Sequence, residues 1–97
     1  MVDSLATEAC RIDVWLWRAR LTKTRALAST LAAEGRIRLT RDGAQTRLDK
    51  ASRMVRPGDE LVFALAGRVT AVRVLRLGLR RGPPTEARTL YETVSAA

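Results

Sequence analysis

Residues Lys23–Gly43, KTRALASTLAAEGRIRLTRDG, change their hydrophobic period once, and that change sets the fold. Leu27, Ala28, Leu31 and Ala32 recur at the three- and four-residue spacing of one helix face. The spacing predicts a helix over about Lys23–Glu34, with Thr22 as its N-terminal cap. Gly35 stands where a helix ending in a left-handed turn favours a residue without a Cβ. Directly afterwards Ile37 and Leu39 alternate with Arg36, Arg38 and Thr40, which is the two-residue period of a half-buried strand. Asp42-Gly43 then supplies a two-residue hairpin turn.

Upstream, Ile12, Leu16 and Ala19 make a second apolar stripe. With Asp13 as N-cap, the stripe predicts a short helix to about Arg20. Trp15 and Trp17 lie about 200° apart around such a helix. One therefore belongs to the core, and the other to a partly exposed edge. Leu21-Thr22-Lys23 separates the two helices, and residues 1–10 read as a flexible tail before a single domain over 11–97. Downstream, residues 44–56 read as a loose stretch, and Pro57-Gly58 fits the centre of a type II turn. Leu61–Ala66 and Val69–Leu77 predict two antiparallel strands around Gly67. After Gly82-Pro83-Pro84, Thr85 caps an expected final helix carrying Ala87, Leu90, Tyr91 and Val94. The fold class is α+β: two N-terminal helices packed on a small, mainly antiparallel sheet, with a short C-terminal helix.

The chain carries a formal net charge of +8 over 97 residues. All of that surplus sits in one half. Between Arg11 and Arg56 twelve Lys and Arg face four acids, whereas the remainder has six of each. A balanced body with a concentrated basic segment is an electrostatic footprint for a polyanion. Other classes have little to stand on. The sequence has no His and one Cys, so a His-based triad or a thiolate cluster has no residues to build it. No phosphate-binding or dinucleotide glycine motif occurs. The expectation is a non-enzyme without cofactor or metal. The longest apolar run, Leu61–Ala66, is far too short for a membrane span, and the start lacks a signal-peptide pattern. A soluble cytoplasmic protein is expected, with Cys10 as a filler.

The candidate RNA-binding residues are Arg11 and Arg18 on the first helix, seven residues apart and so expected on one face. Lys23, Thr24, Arg25 and Ser29 follow on the second helix. Arg36 and Arg38 lie on the first strand, and Lys50, Ser52 and Arg53 in the loop. Guanidinium groups bind phosphate in bidentate fashion and stack on bases, which suits structured RNA. The reading therefore names a structured RNA partner, no small-molecule substrate, no membrane, and a monomer, with the positive side chains converging on one surface. Rival readings are a helix-turn-helix DNA-binding regulator, an RNA-modifying enzyme completed by another chain, and a module that binds acidic proteins.

Residues 11–17 (RIDVWLW), 23–28 (KTRALA) and 35–38 (GRIR), continued by 50–53 (KASR) and 57–60 (PGDE), resemble the αL motif of the ribosomal-protein-S4-like RNA-binding domain. The paired tryptophans, with the late Arg80-Arg81-Gly82-Pro83 and Leu90-Tyr91-Glu92, are similar to the heat-shock protein fifteen family. The resemblance covers about residues 11–92. It implies rRNA binding by the αL face, and association with free large ribosomal subunits that carry a stalled nascent chain. Carried over by position, the implied contacts are Arg11, Lys23, Thr24, Arg25, Arg36 and Lys50, with Ser52 and Arg53 beside them. Val14 replaces the usual Lys, Ala51 the usual Pro, and Asp42 the usual Asn of the hairpin. The sequence reaches Ala97 without the family's long basic tail.

Overall fold

Two short helices are set against one face of an antiparallel sheet by the apolar stripes of each. The structure, a computed structural model, describes residues 8–94. Helix α1 (Ile12–Arg18) buries Ile12, Trp15 and Leu16, and helix α2 (Arg25–Ala33) buries Ala28, Leu31 and Ala32. Small alanines on α2 allow the close approach to α1. The main sheet runs β3 (Ala44–Arg47), β2 (Ile37–Arg41), β5 (Glu60–Leu65), β6 (Arg68–Val74), β7 (Tyr91–Thr93), with every neighbouring pair antiparallel. Ile37, Leu39, Leu61, Phe63, Val72 and Val74 form its buried face and join the helices in one core. Trp15 is fully buried, and its indole Nε1 donates to the carbonyl of Arg76 at 2.8 Å, so the ring brings no unsatisfied donor inside. Trp17 is the partly exposed partner.

Both helices end in the same way. Gly35, at φ +74°, closes α2 while the amides of Gly35 and Arg36 return to the carbonyls of Ala32 and Leu31. This is the expected left-handed cap. At the end of α1 the equivalent position is Arg20, a non-glycine at φ +59°. Its strain is offset by the same pair of backbone bonds, to Trp17 and Leu16, and by a 2.6 Å bond from its Nε to the Gly82 carbonyl.

Several expectations need correction. Asp13 is not the cap of α1; it lies inside the first turn, with Arg11 at the cap position. Thr24, not Thr22, caps α2 by accepting from the Leu27 amide, which starts the helix at Arg25. Thr22 is buried, and its hydroxyl donates to the Thr24 carbonyl. Cys10 does not belong to a loose tail, since β1 (Cys10–Arg11) pairs with β4 (Met54–Val55); residues 1–7 of that reading lie outside the described residues. The stretch read as loose contains β3, folded back on β2 by Asp42 and Gly43, both at positive φ. The last helix is also shorter than expected. Helix α3 (Pro84–Ala87) passes into a 3-10 turn (Arg88–Leu90), and Tyr91–Thr93 then pairs with the open edge of β6. Tyr and Thr suit a strand, and pairing removes the unpaired β6 edge. Finally, β6 stops at Val74; residues 75–83 form a strap that runs back over α1.

Candidate nucleic-acid interface

The first turn of α1 holds one acid, Asp13, which is only 1% exposed. Between Arg11 and Ala33 it is the sole carboxylate in the sequence. It would be costly there alone, but it is fully engaged. Arg11 grips it with two bonds, Nε at 3.1 Å and Nη2 at 3.0 Å, and the Ser29 hydroxyl donates at 3.0 Å. The Val14 amide donates at 2.8 Å, and Arg25 Nη2 lies at 3.6 Å. Burial pushes the carboxyl upward, yet the hydrogen bonds from Arg11 and Ser29, with the Arg11 charge, outweigh it and hold Asp13 below the ordinary carboxylate range. The same bonds raise Arg11. One negative charge thus positions two guanidinium groups and leaves a surplus of one positive charge. Both arginines keep exposed surface.

The loop before β4 docks on the same place. The Ile12 amide donates to the Arg53 carbonyl at 2.8 Å, and the Asp13 amide reaches the Ala51 carbonyl at 3.5 Å. Loop carbonyls therefore satisfy the first amides of α1 and fix Lys50, Ser52 and Arg53 beside Arg11. Lys50 and Ser52 are exposed, and Arg53 forms only an exposed 3.7 Å pair with Asp49. Lys23 and Arg25 flank Thr24 at the start of α2, all three exposed. The Thr24 hydroxyl is committed as an acceptor to the cap, so its part in this arrangement is to place Arg25.

Several relatives and solved structures match the chain over most of its length. A heat shock protein 15 homolog of Haemophilus influenzae is 30% identical over 94 residues, covering 96% of this chain and 67% of that protein. The chain belongs to the heat shock protein 15 family. Heat shock protein 15 of Escherichia coli K12 is 34% identical over 82 residues, and this chain spans only 58% of its length. The RQC P-site tRNA stabilizing factor of Bacillus subtilis is 39% identical over 67 residues, 69% of this chain and 72% of that one. The trimeric structure of Vibrio cholerae heat shock protein 15 superposes with a TM-score of 0.76 at 27% identity, over 91% of this chain and 84% of that one. No family model matches.

In this member of the heat shock protein 15 family, the remaining candidate residues lie away from Asp13. Arg18 does not join Arg11. The seven-residue argument needs both on the helix, but Arg11 precedes it in an extended conformation. Arg18 Nη1 instead donates to the Gly78 carbonyl at 2.8 Å, which ties it to the strap. Arg81 of the strap donates to the Lys23 carbonyl at 3.4 Å and lies 5.6 Å over the Trp17 ring. Arg36 and Arg38 follow the far end of α2, roughly 13 Å along a nine-residue helix. Arg36 pairs with Glu34 at 3.3 Å. Because Ile37 and Leu39 point into the core, Arg38 points to the opposite face of the sheet, away from the helices. The single converging surface expected from the sequence is thus two surfaces.

Sequence reasoning overlooked Asp13 as an organiser. Its signal was available, as one acid at helical spacing from Leu16 on a buried stripe. Arg41 serves the fold, gripping buried Asp59 at 2.7 and 2.9 Å. Among the described residues no cluster of His, Cys, Asp or Glu is arranged to hold a metal, and no helix is long and apolar enough to cross a membrane.

Proposed function

We propose that this chain is a ribosome-associated RNA-binding protein that docks its Asp13-centred face onto structured rRNA of the large subunit. There it aids recycling of subunits that carry a stalled nascent chain. The observation that carries the reading is the convergence of Arg11, Arg25 and Ser29 on one buried carboxylate, with the Lys50–Arg53 loop pinned alongside. Guanidinium groups held in place before contact lose less freedom on binding a phosphate than free ones do. The name of the Bacillus relative, a P-site tRNA stabilizing factor, supports a ribosomal partner and a position next to tRNA.

Long-range attraction by the basic half brings RNA to the face, and shape complementarity to the helix ends and loop selects structured elements. The chain acts by binding rather than by catalysis, in the cytoplasm, with one copy as the binding unit. Roughly five to eight phosphate contacts give a log–log salt slope of about −4 to −6. Competition between fragments of large-subunit rRNA and duplex DNA of equal length tests the reading. RNA is expected to displace DNA, and preference for the duplex would replace the reading with the DNA-binding regulator. Charge reversal of Arg25 on this face is expected to weaken binding strongly; unchanged binding would show that the face is misplaced. Sedimentation with and without RNA decides between a single chain and a trimer like that of the Vibrio relative.

A further inference from the structure

We infer that the outer face of the sheet carries a second binding site for RNA sugar–phosphate backbone, built on Arg38 and Arg47; the inference rests on the RNA-binding reading above. Arg38 and Arg47 are directly opposite each other on β2 and β3. Both are exposed, and among the described residues neither forms an ion pair with a carboxylate. Like charges directly opposite on adjacent strands repel. The strands therefore set two arginines opposite each other at a backbone spacing of about 4.8 Å, and an anion bound between their side chains would relieve the repulsion.

The surroundings strengthen the asymmetry. The Arg47 side chain lies along Gly35, where an added Cβ would meet its Cδ and Nε at 3.4 Å. That places it at the carbonyl end of α2, a favourable position for a cation, and next to Arg36. Glu34 is the nearby acid, and its pair with Arg36 is exposed and weak. Across the same face the charge is closed. Glu60, Arg73 and Glu92 form a ladder in which Arg73 bonds both acids. Between the two edges runs a shallow groove lined by Gly35, Arg36, Arg38, Val62, Ala64 and Val69, with Val69 70% exposed. One edge of the face attracts anions, the other is balanced, and small apolar side chains leave a floor on which a ribose or base can rest. Paired arginines clamp phosphate by bidentate bonds, which matches a nucleic-acid strand better than an acidic peptide of scattered carboxylates. An RNA that engages the Asp13 face can thus continue around the α2 C-terminus onto the sheet.

The test compares the full chain with Arg38→Gln/Arg47→Gln, and with Arg76→Gln/Arg88→Gln, which removes two exposed charges elsewhere. The probe is the same rRNA fragment, over a salt series. The sheet-face variant is expected to bind about tenfold more weakly and to lose roughly 1.5 from the salt slope, as two phosphate contacts would carry; the control is expected to change less. Equal behaviour of the two variants would overturn the inference and leave RNA binding standing. Failure of the unsubstituted chain to bind RNA would instead remove the functional reading itself. A changed oligomeric state with unchanged RNA affinity would also overturn the inference, by assigning the face to a second copy.

Discussion

The two arginine clusters at opposite ends of α2 are built on opposite principles. At its start, Arg11 and Arg25 are held by a buried acid that belongs to the core, so the cations are part of what stabilises the fold. Beyond its end, Arg38 and Arg47 face each other with no acid between them, so their repulsion offsets what Arg47 gains at the carbonyl end of α2. The comparison separates charge that is organised from charge that is merely presented. Removing the first should cost stability and binding together. Removing the second should cost binding alone.

The largest expected effect is at Asp13. Asp13→Ala removes the acceptor of Arg11, Ser29 and the Val14 amide and is expected to lower unfolding free energy by about 2 kcal/mol. RNA affinity should fall with it, because both guanidinium groups lose their anchor. Urea denaturation beside RNA titration checks this; a loss of binding at unchanged stability would break the distinction between the clusters.

Next is the pH dependence. Since the folded Asp13 is held below its unfolded value of about 3.9, the unfolded chain takes up the proton first as pH falls. The stabilisation is therefore present above that value and lost as pH drops through the folded one. The stability gap between the unsubstituted protein and Asp13→Asn should be constant near neutrality and close below about pH 4. A gap that persists into acid would mean that the carboxylate charge is not what holds the cluster.

A smaller effect is expected at Arg47. Arg47→Gln should leave the unfolding free energy unchanged or raise it slightly, by up to about 0.5 kcal/mol as cross-strand repulsion is relieved. A clear drop would show that Arg47 supports the fold through its packing on Gly35. The smallest belongs to Asp49→Asn, whose exposed pair with Arg53 should be worth less than about 0.5 kcal/mol.

Much of the architecture was legible because period and punctuation agreed. The α2 stripe, Gly35 and Asp42-Gly43 specify helix, stop and hairpin through local chemistry alone, and all three stand in the structure, with the helix starting two residues later than read and Leu27 exposed. What local chemistry does not encode was misread. The strands β3 and β7 are only four and three residues long, and β3 is exposed throughout, so neither shows the alternation by which a strand is recognised. Their existence depends on the edges of β2 and β6. Asp13 before an apolar run fits a cap pattern, and only Ser29, sixteen residues away, and the docked loop reveal it as buried. The heat shock protein 15 family was legible from separated motifs. The division of the basic half was not, because it requires the register of β3 against β2. Reading residues 44–56 as a loop hid the position of Arg47 opposite Arg38 and left Arg38 attached to the helical face.

The central claim is that a buried carboxylate prepares the Arg11–Arg25 face for RNA phosphate. Salt dependence of rRNA affinity, measured for the unsubstituted protein and for Asp13→Asn, tests it most directly. The account predicts a slope of about −4 to −6 for the former, and weaker binding with a shallower slope for the latter although a negative charge has been removed. A flat salt dependence, or tighter binding by Asp13→Asn as net charge alone would give, would contradict it.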